Sequence, residues 1–257
     1  MEARGLTPAR AVVGHRTNGH SGPMVEATRI AAPGGGARRM GLQRRYGLLL
    51  VATMVSLGVQ GIVPPSPVQE VAVTALAGAS LVLAFRASGL PGRLMARAVA
   101  LSIAIIVVSA VRATAGGISD GVVTAMNAAL VGLGPPAVAV GVLRDLRSTG
   151  QVRLEAVMGV LSLYILLGMF FGFVYGALDR FGGDPFFASG AAATVSHCLY
   201  FSFTTLTTVG YGDLVARTDT GHTLAVFEAL LGQIYLVTVV SLIVSNLGRP
   251  HRVRGSG

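Results

Sequence analysis

Long apolar segments constrain this chain more than anything else in it. Six runs, 46–63, 71–85, 94–111, 121–143, 154–178 and 220–247, are almost free of charged residues. A membrane span needs about 20 mostly apolar residues, and backbone in lipid must satisfy its own polar groups, so runs of this length read as spanning helices. Only 12% of the 257 residues are charged, against about 25% in an ordinary soluble domain. An all-α membrane protein follows, with 71–85 the shortest span. Pro64-Pro65-Ser66-Pro67 makes a stiff turn between the first two runs, and Gly134-Pro135-Pro136 should kink or split the fourth.

Every one of the 20 basic residues is Arg, and the net charge is +9. Eight arginines lie in residues 1–45, a stretch without hydrophobic period that reads as a disordered basic tail. The apolar run after it is too long for a signal peptide. The remaining arginines sit between spans as orientation signals, which removes nucleic acid as a partner. Arg86, Arg93, Arg97, Arg144, Arg147, Arg153, Arg249, Arg252 and Arg254 fall on the side of the tail, against Arg112, Arg180 and Arg217 on the other. The positive-inside rule therefore puts both termini in the cytoplasm. The expected organisation is a tail (1–45), a four-helix transmembrane block (46–147), a helix–loop–helix unit (148–248) and a short basic tail (249–257). With one cysteine, Cys198, the chain has no intrachain disulfide, and Cys198 reads as packing.

Between the last two spans runs Ser196 to Asp213, S-H-C-L-Y-F-S-F-T-T-L-T-T-V-G-Y-G-D. It reads as a short helix over 195–206, then an extended run, Thr208-Val209-Gly210-Tyr211-Gly212, then a carboxylate. Glycines at alternate positions permit a backbone whose successive carbonyls point one way, and a ring of such carbonyls can replace the water shell of a potassium ion. In a soluble chain Gly-Tyr-Gly-Asp would be a turn. Here it lies between two apolar spans, where irregular backbone survives only if protein buries it or water lines it.

Over Thr207 to Asp213 the chain resembles the potassium channel superfamily, whose selectivity filter is T-V-G-Y-G followed by Asp. The resemblance implies a homotetramer in a lipid bilayer, each chain supplying one filter strand, with potassium held at Thr208, Val209, Gly210 and Tyr211 as the permeant ion and no other cofactor. It implies filter support from Tyr200 and Phe201 of the pore helix and from Asp213. Thr204 stands where some bacterial relatives carry a glutamate. Glu228, about two turns into the last span, is expected to face the back of the pore helix and bond a hydroxyl or backbone group there, since ionisable groups within a span are costly. Gly232 matches the gating hinge of the family's inner helix, although a small residue also serves close helix packing. Gln233, Leu236, Val240 and Val244 share one helix face and should line the cavity. His197 and His222 flank the outer end, either as sensors of external pH or as merely hydrated side chains.

Six spans with the pore loop before the last is the layout of voltage-gated channels. A sensor, however, moves about 3–4 charges per subunit on arginines repeated within one span. The run 121–143 contains no arginine, so weak or absent voltage dependence is expected. Passive potassium conduction in a plasma or inner membrane is the expected function. The alternatives are a potassium uptake subunit, whose loops typically keep a single filter glycine, and a non-conducting accessory subunit. An enzyme is not expected: there is no metal-ligand spacing, no nucleophile–base set, and Gly34-Gly35-Gly36 follows no strand pattern.

Overall fold

The computed structural model describes residues 35–64, 66–149 and 154–247. Its regular structure is helical throughout: α1 (Gly35–Ile62), α2 (Pro67–Ala87), α3 (Gly92–Ala115), α4 (Asp120–Gly132), α5 (Gly134–Thr149), α6 (Leu154–Phe181), α7 (Val195–Leu206) and α8 (Asp219–Leu247). Among the described residues the sole extended pairing is an isolated antiparallel bridge between Phe187 and Ala216. Five stretches are long and apolar enough to cross a membrane: α2, α3, α4 with the first part of α5, α6 and α8. The apolar part of α1, Tyr46–Ile62, is shorter. The architecture is thus the expected one, a membrane-helix block followed by a helix–pore loop–helix unit.

Two boundaries differ from expectation. The first helix begins at Gly35, not Tyr46, so residues 35–45 of the expected tail are helical. Hydrophobicity alone misses this extension, because Arg, Gln, Met and Ala form helix well without being part of a span. Residues 1–34 and 248–257 of the two expected tails lie outside the described residues. The second span, expected to be the shortest, is a 21-residue helix. Ser66 caps it, its hydroxyl accepting from the Gln69 N–H at 3.1 Å, and Pro67 occupies the first helical position, where its missing N–H costs nothing. The fourth span breaks where expected: α4 stops at Gly132, Leu133 is its C-cap, and Gly134-Pro135-Pro136 starts α5.

α6 is the central helix, packing against α1, α4, α5, α7 and α8. On its block side Leu166, Met169 and Phe173 join a core with Tyr46, Leu49, Leu81, Leu130 and Val138. On its other side a glycine row, Gly168, Gly172 and Gly176, faces the elements that pack on it. A methyl group at Gly168 would come within 2.7 Å of the Phe203 ring, and one at Gly172 within 2.8 Å of Leu199 Cδ2 and 3.3 Å of its Cα. Both neighbours belong to α7, so the row is what lets the short helix lie close to α6, as small residues do between membrane helices. Gly172→Leu should therefore destabilise the protein by about 1–3 kcal/mol through overpacking. Gly183→Leu, in open space, should not. Thermal unfolding in detergent, read by loss of monodisperse protein, distinguishes the two.

Candidate functional site

α7 begins at Val195 because Thr194 caps it, accepting the His197 N–H at 3.2 Å, and it ends at Leu206 with Thr207 as C-cap. These are the bounds expected for the pore helix. Its carbonyl end, where backbone acceptors lack helical partners, is tied down by α6: the Tyr164 hydroxyl donates to the Leu206 carbonyl at 3.1 Å. Tyr164 stacks on Tyr235 of α8 with ring centroids 5.4 Å apart, and the Tyr235 hydroxyl donates to the Val160 carbonyl.

After Thr207 the backbone alternates. Thr208, Gly210 and Gly212 have φ of 57°, 50° and 79°, and the residues between them do not take positive φ. For glycine this is easy, but for a β-branched residue the left-handed region is strained. Three hydrogen bonds hold the turn of chain that contains Thr208. Its N–H donates to the Thr205 carbonyl at 2.9 Å, the Gly210 N–H donates to the Thr204 carbonyl at 3.0 Å, and Gln233 Nε2 donates to Thr208 Oγ1 at 3.2 Å. Thr204 contributes through its carbonyl, while its hydroxyl bonds back to Phe201 O at 3.0 Å. Residues 207–213 are exposed along their whole length in the single chain.

The two aromatic positions expected to support this strand separate. Tyr200 reaches it: its hydroxyl donates to Asp213 Oδ1 at 3.1 Å and its ring stacks on Tyr211 at 6.2 Å. Phe201, expected to support it as well, faces other aromatic rings within the chain. It lies 5.0 Å from Tyr175, 5.8 Å from Phe186 and 5.7 Å from Phe187, ring to ring. Successive helical residues face about 100° apart, and within the chain these two side chains meet different partners. The cluster around Phe201 holds the helix from behind and closes the outer loop, where the Phe186 N–H donates to Asp179 Oδ1 and the Arg217 N–H to the Phe186 carbonyl.

Glu228 is fully buried. The Tyr175 hydroxyl of α6 donates to its Oε2 at 2.6 Å, and Ser202 of α7 donates to its Oε1 while lying 2.7 Å from the Gly168 carbonyl. One carboxyl thus joins α6, α7 and α8. Neither Tyr175 nor Ser202 was singled out by sequence reasoning. The available signal was that a tyrosine or serine inside a span, like the glutamate, needs a polar partner.

Gly232 is buried against the end of the pore helix: a Cβ there would run into the Leu206 carbonyl. Close approach is therefore one reason for glycine at this position, and α8 continues unbroken through it. Gln233 and Leu236 are exposed in the single chain. The side chains of Val240 and Val244, expected on the same face, lie outside the described residues. His197 Nδ1 lies 2.7 Å from the Ala192 carbonyl and His222 Nε2 2.8 Å from the Ala216 carbonyl. Cys198 is buried. Among the described residues no three His, Cys, Asp or Glu side chains gather as metal ligands.

Residues 159–249, from within α6 through the pore helix and the Thr208–Gly212 strand to the end of α8, match the family described as ion channel. That span, about a third of the chain, is similar to an ion-channel pore domain, and the matching family is one of channels and not of enzymes. No solved structure matches the chain.

Removing the shared carboxyl should loosen all three helices together. Glu228→Leu strands the buried Tyr175 hydroxyl, which costs about 1–3 kcal/mol, and leaves Ser202 only the Gly168 carbonyl, whereas Glu228→Gln keeps the shape and a partner for each. The melting temperature in detergent should fall clearly for the first and by less than half as much for the second.

Proposed function

We propose that the chain forms a homotetrameric, potassium-selective channel, conducting passively and without strong voltage dependence, in a cell membrane with both termini cytoplasmic. The observation that carries this reading is the alternation of left-handed residues at Thr208, Gly210 and Gly212. Alternating handedness turns successive carbonyls toward one side of a strand, and four such strands around an axis would offer potassium the oxygen cage that water otherwise provides. Thr208, Val209, Gly210 and Tyr211 would supply the cage, with potassium as the transported ion. The pore helix would aim its carbonyl end, the negative end of its dipole, at the cavity below.

The exposed surface supports assembly. Only 11% of the span window in α8 is buried inside the chain, and Val226, Phe227, Leu230, Ile234 and Val237 are among its exposed residues. One chain brings one filter strand, so cyclic four-fold closure would place these strands around one axis. The fourth span, Asp120–Arg144, carries its only arginine at its last residue, which supports weak voltage dependence. In this reading 46–147 forms the supporting block, 148–248 the pore unit, and Gly232 the point about which α8 bends on opening.

The test is potassium flux into liposomes holding the purified protein, with sodium as competitor. Potassium should pass and sodium should not. Gly210→Ala, which puts a side chain at φ +50°, should reduce flux to background while the oligomer persists. Equal passage of sodium would refute the selective filter.

A further inference from the structure

A cavity of about 390 Å³ lies at one end of the helical block, lined by none of the filter residues. It is built where five helix ends meet. Glu70 lies in the first turn of α2, Arg112 in the last turn of α3, Asp120 in the first turn of α4, Arg180 in the last turn of α6, and Val195 starts the pore helix. Asn127, two turns into α4, completes the wall.

The charges in this cavity are not all spent on one another. Arg112 is held by both Glu70 and Asp120. Arg180 gives one N–H to the Gly176 carbonyl at 2.7 Å and forms no ion pair among the described residues. A guanidinium has five donors in a planar fork suited to carboxylate or phosphate. Asn127 is only 3% exposed, yet its Oδ1 is buried without a hydrogen-bond partner. A buried acceptor of this kind is costly unless something donates to it. Asp120, two turns earlier on α4, keeps its side chain 64% exposed.

We propose that the cavity binds a small zwitterion, with a primary ammonium donating to Asn127 Oδ1 and with a phosphate or carboxylate on Arg180. Two sources carry that chemistry. One is a phosphoethanolamine headgroup of the adjoining leaflet, since helix ends lie at headgroup level, and the other is a free amino acid. A choline headgroup does not, because its quaternary nitrogen has no N–H to give Asn127. The site is independent of whether the pore conducts, and Val195 in its wall places any occupant against the start of the pore helix.

The test is calorimetric titration of the full-length protein in detergent with dihexanoyl-phosphatidylethanolamine, dihexanoyl-phosphatidylcholine and serine. The ethanolamine lipid or serine should bind at least tenfold more tightly than the choline lipid, and whichever binds more tightly identifies the source. Arg180→Gln and Asn127→Leu should each weaken binding tenfold or more while leaving elution and melting unchanged. Should either disturb folding, Arg180→Lys and Asn127→Asp serve instead, the first retaining part of the affinity and the second tightening the grip on the ammonium. No binding of either probe, equal binding of ethanolamine and choline lipids, or affinities indifferent to these substitutions would overturn the proposal.

Discussion

Three helices of the pore unit converge on the carboxyl of Glu228. It is fully buried, and its two oxygens are met by hydroxyls from α6 and α7. In an apolar surrounding such a group is tolerable only when its hydrogen bonds are made. That requirement sets the rotation of α8 and the depth of α7 relative to α6. Dispersion between apolar side chains is non-directional and would leave both free to slide. The polar contact supplies position, while the aromatic cluster around Phe201 and the glycine row of α6 supply close packing.

The irregular strand inherits its place from this frame. Thr208 sits in a backbone region that a β-branched residue rarely adopts, and such strain persists only where surroundings over-determine it. Here the surroundings are the last turn of α7 below, Gln233 of α8 beside it, and Tyr200 with Asp213 beyond. Tyr164 and Gly232 act one step further back. One satisfies the Leu206 carbonyl, and the other leaves room for it.

Much of this was legible in the sequence, for physical reasons that differ by element. The spans follow from the bilayer's demand for internally bonded backbone. The end of the pore helix could be placed because the T-V-G-Y-G run stops it, and the break in the fourth span because proline has no N–H. What escaped were features that depend on rotation about a helix axis or on partners far apart. Phe201 and Tyr200 are adjacent in sequence and face different targets. Tyr175 and Glu228 are separated by 53 positions, so neither announces the other. The glycines of α6 carry no hydropathy signal, and the cavity at the helix ends draws on five separate segments. The early start of α1 escaped because its first turns are basic and lie outside the apolar run.

The break at Leu133 divides the fourth span into two rods. Pro135 and Pro136 bring no N–H to the joint, so the hydrogen-bond ladder that stiffens an ordinary span is interrupted there. The half above the joint carries Asp120 and Asn127 and lies along α6, while the half below ends at Arg144 and Arg147. A load applied to one half is therefore not transmitted whole to the other. Both halves rest on α6, so the joint between them is the point where a displacement at the cavity wall can be taken up before it reaches the arginines at the other end of the span.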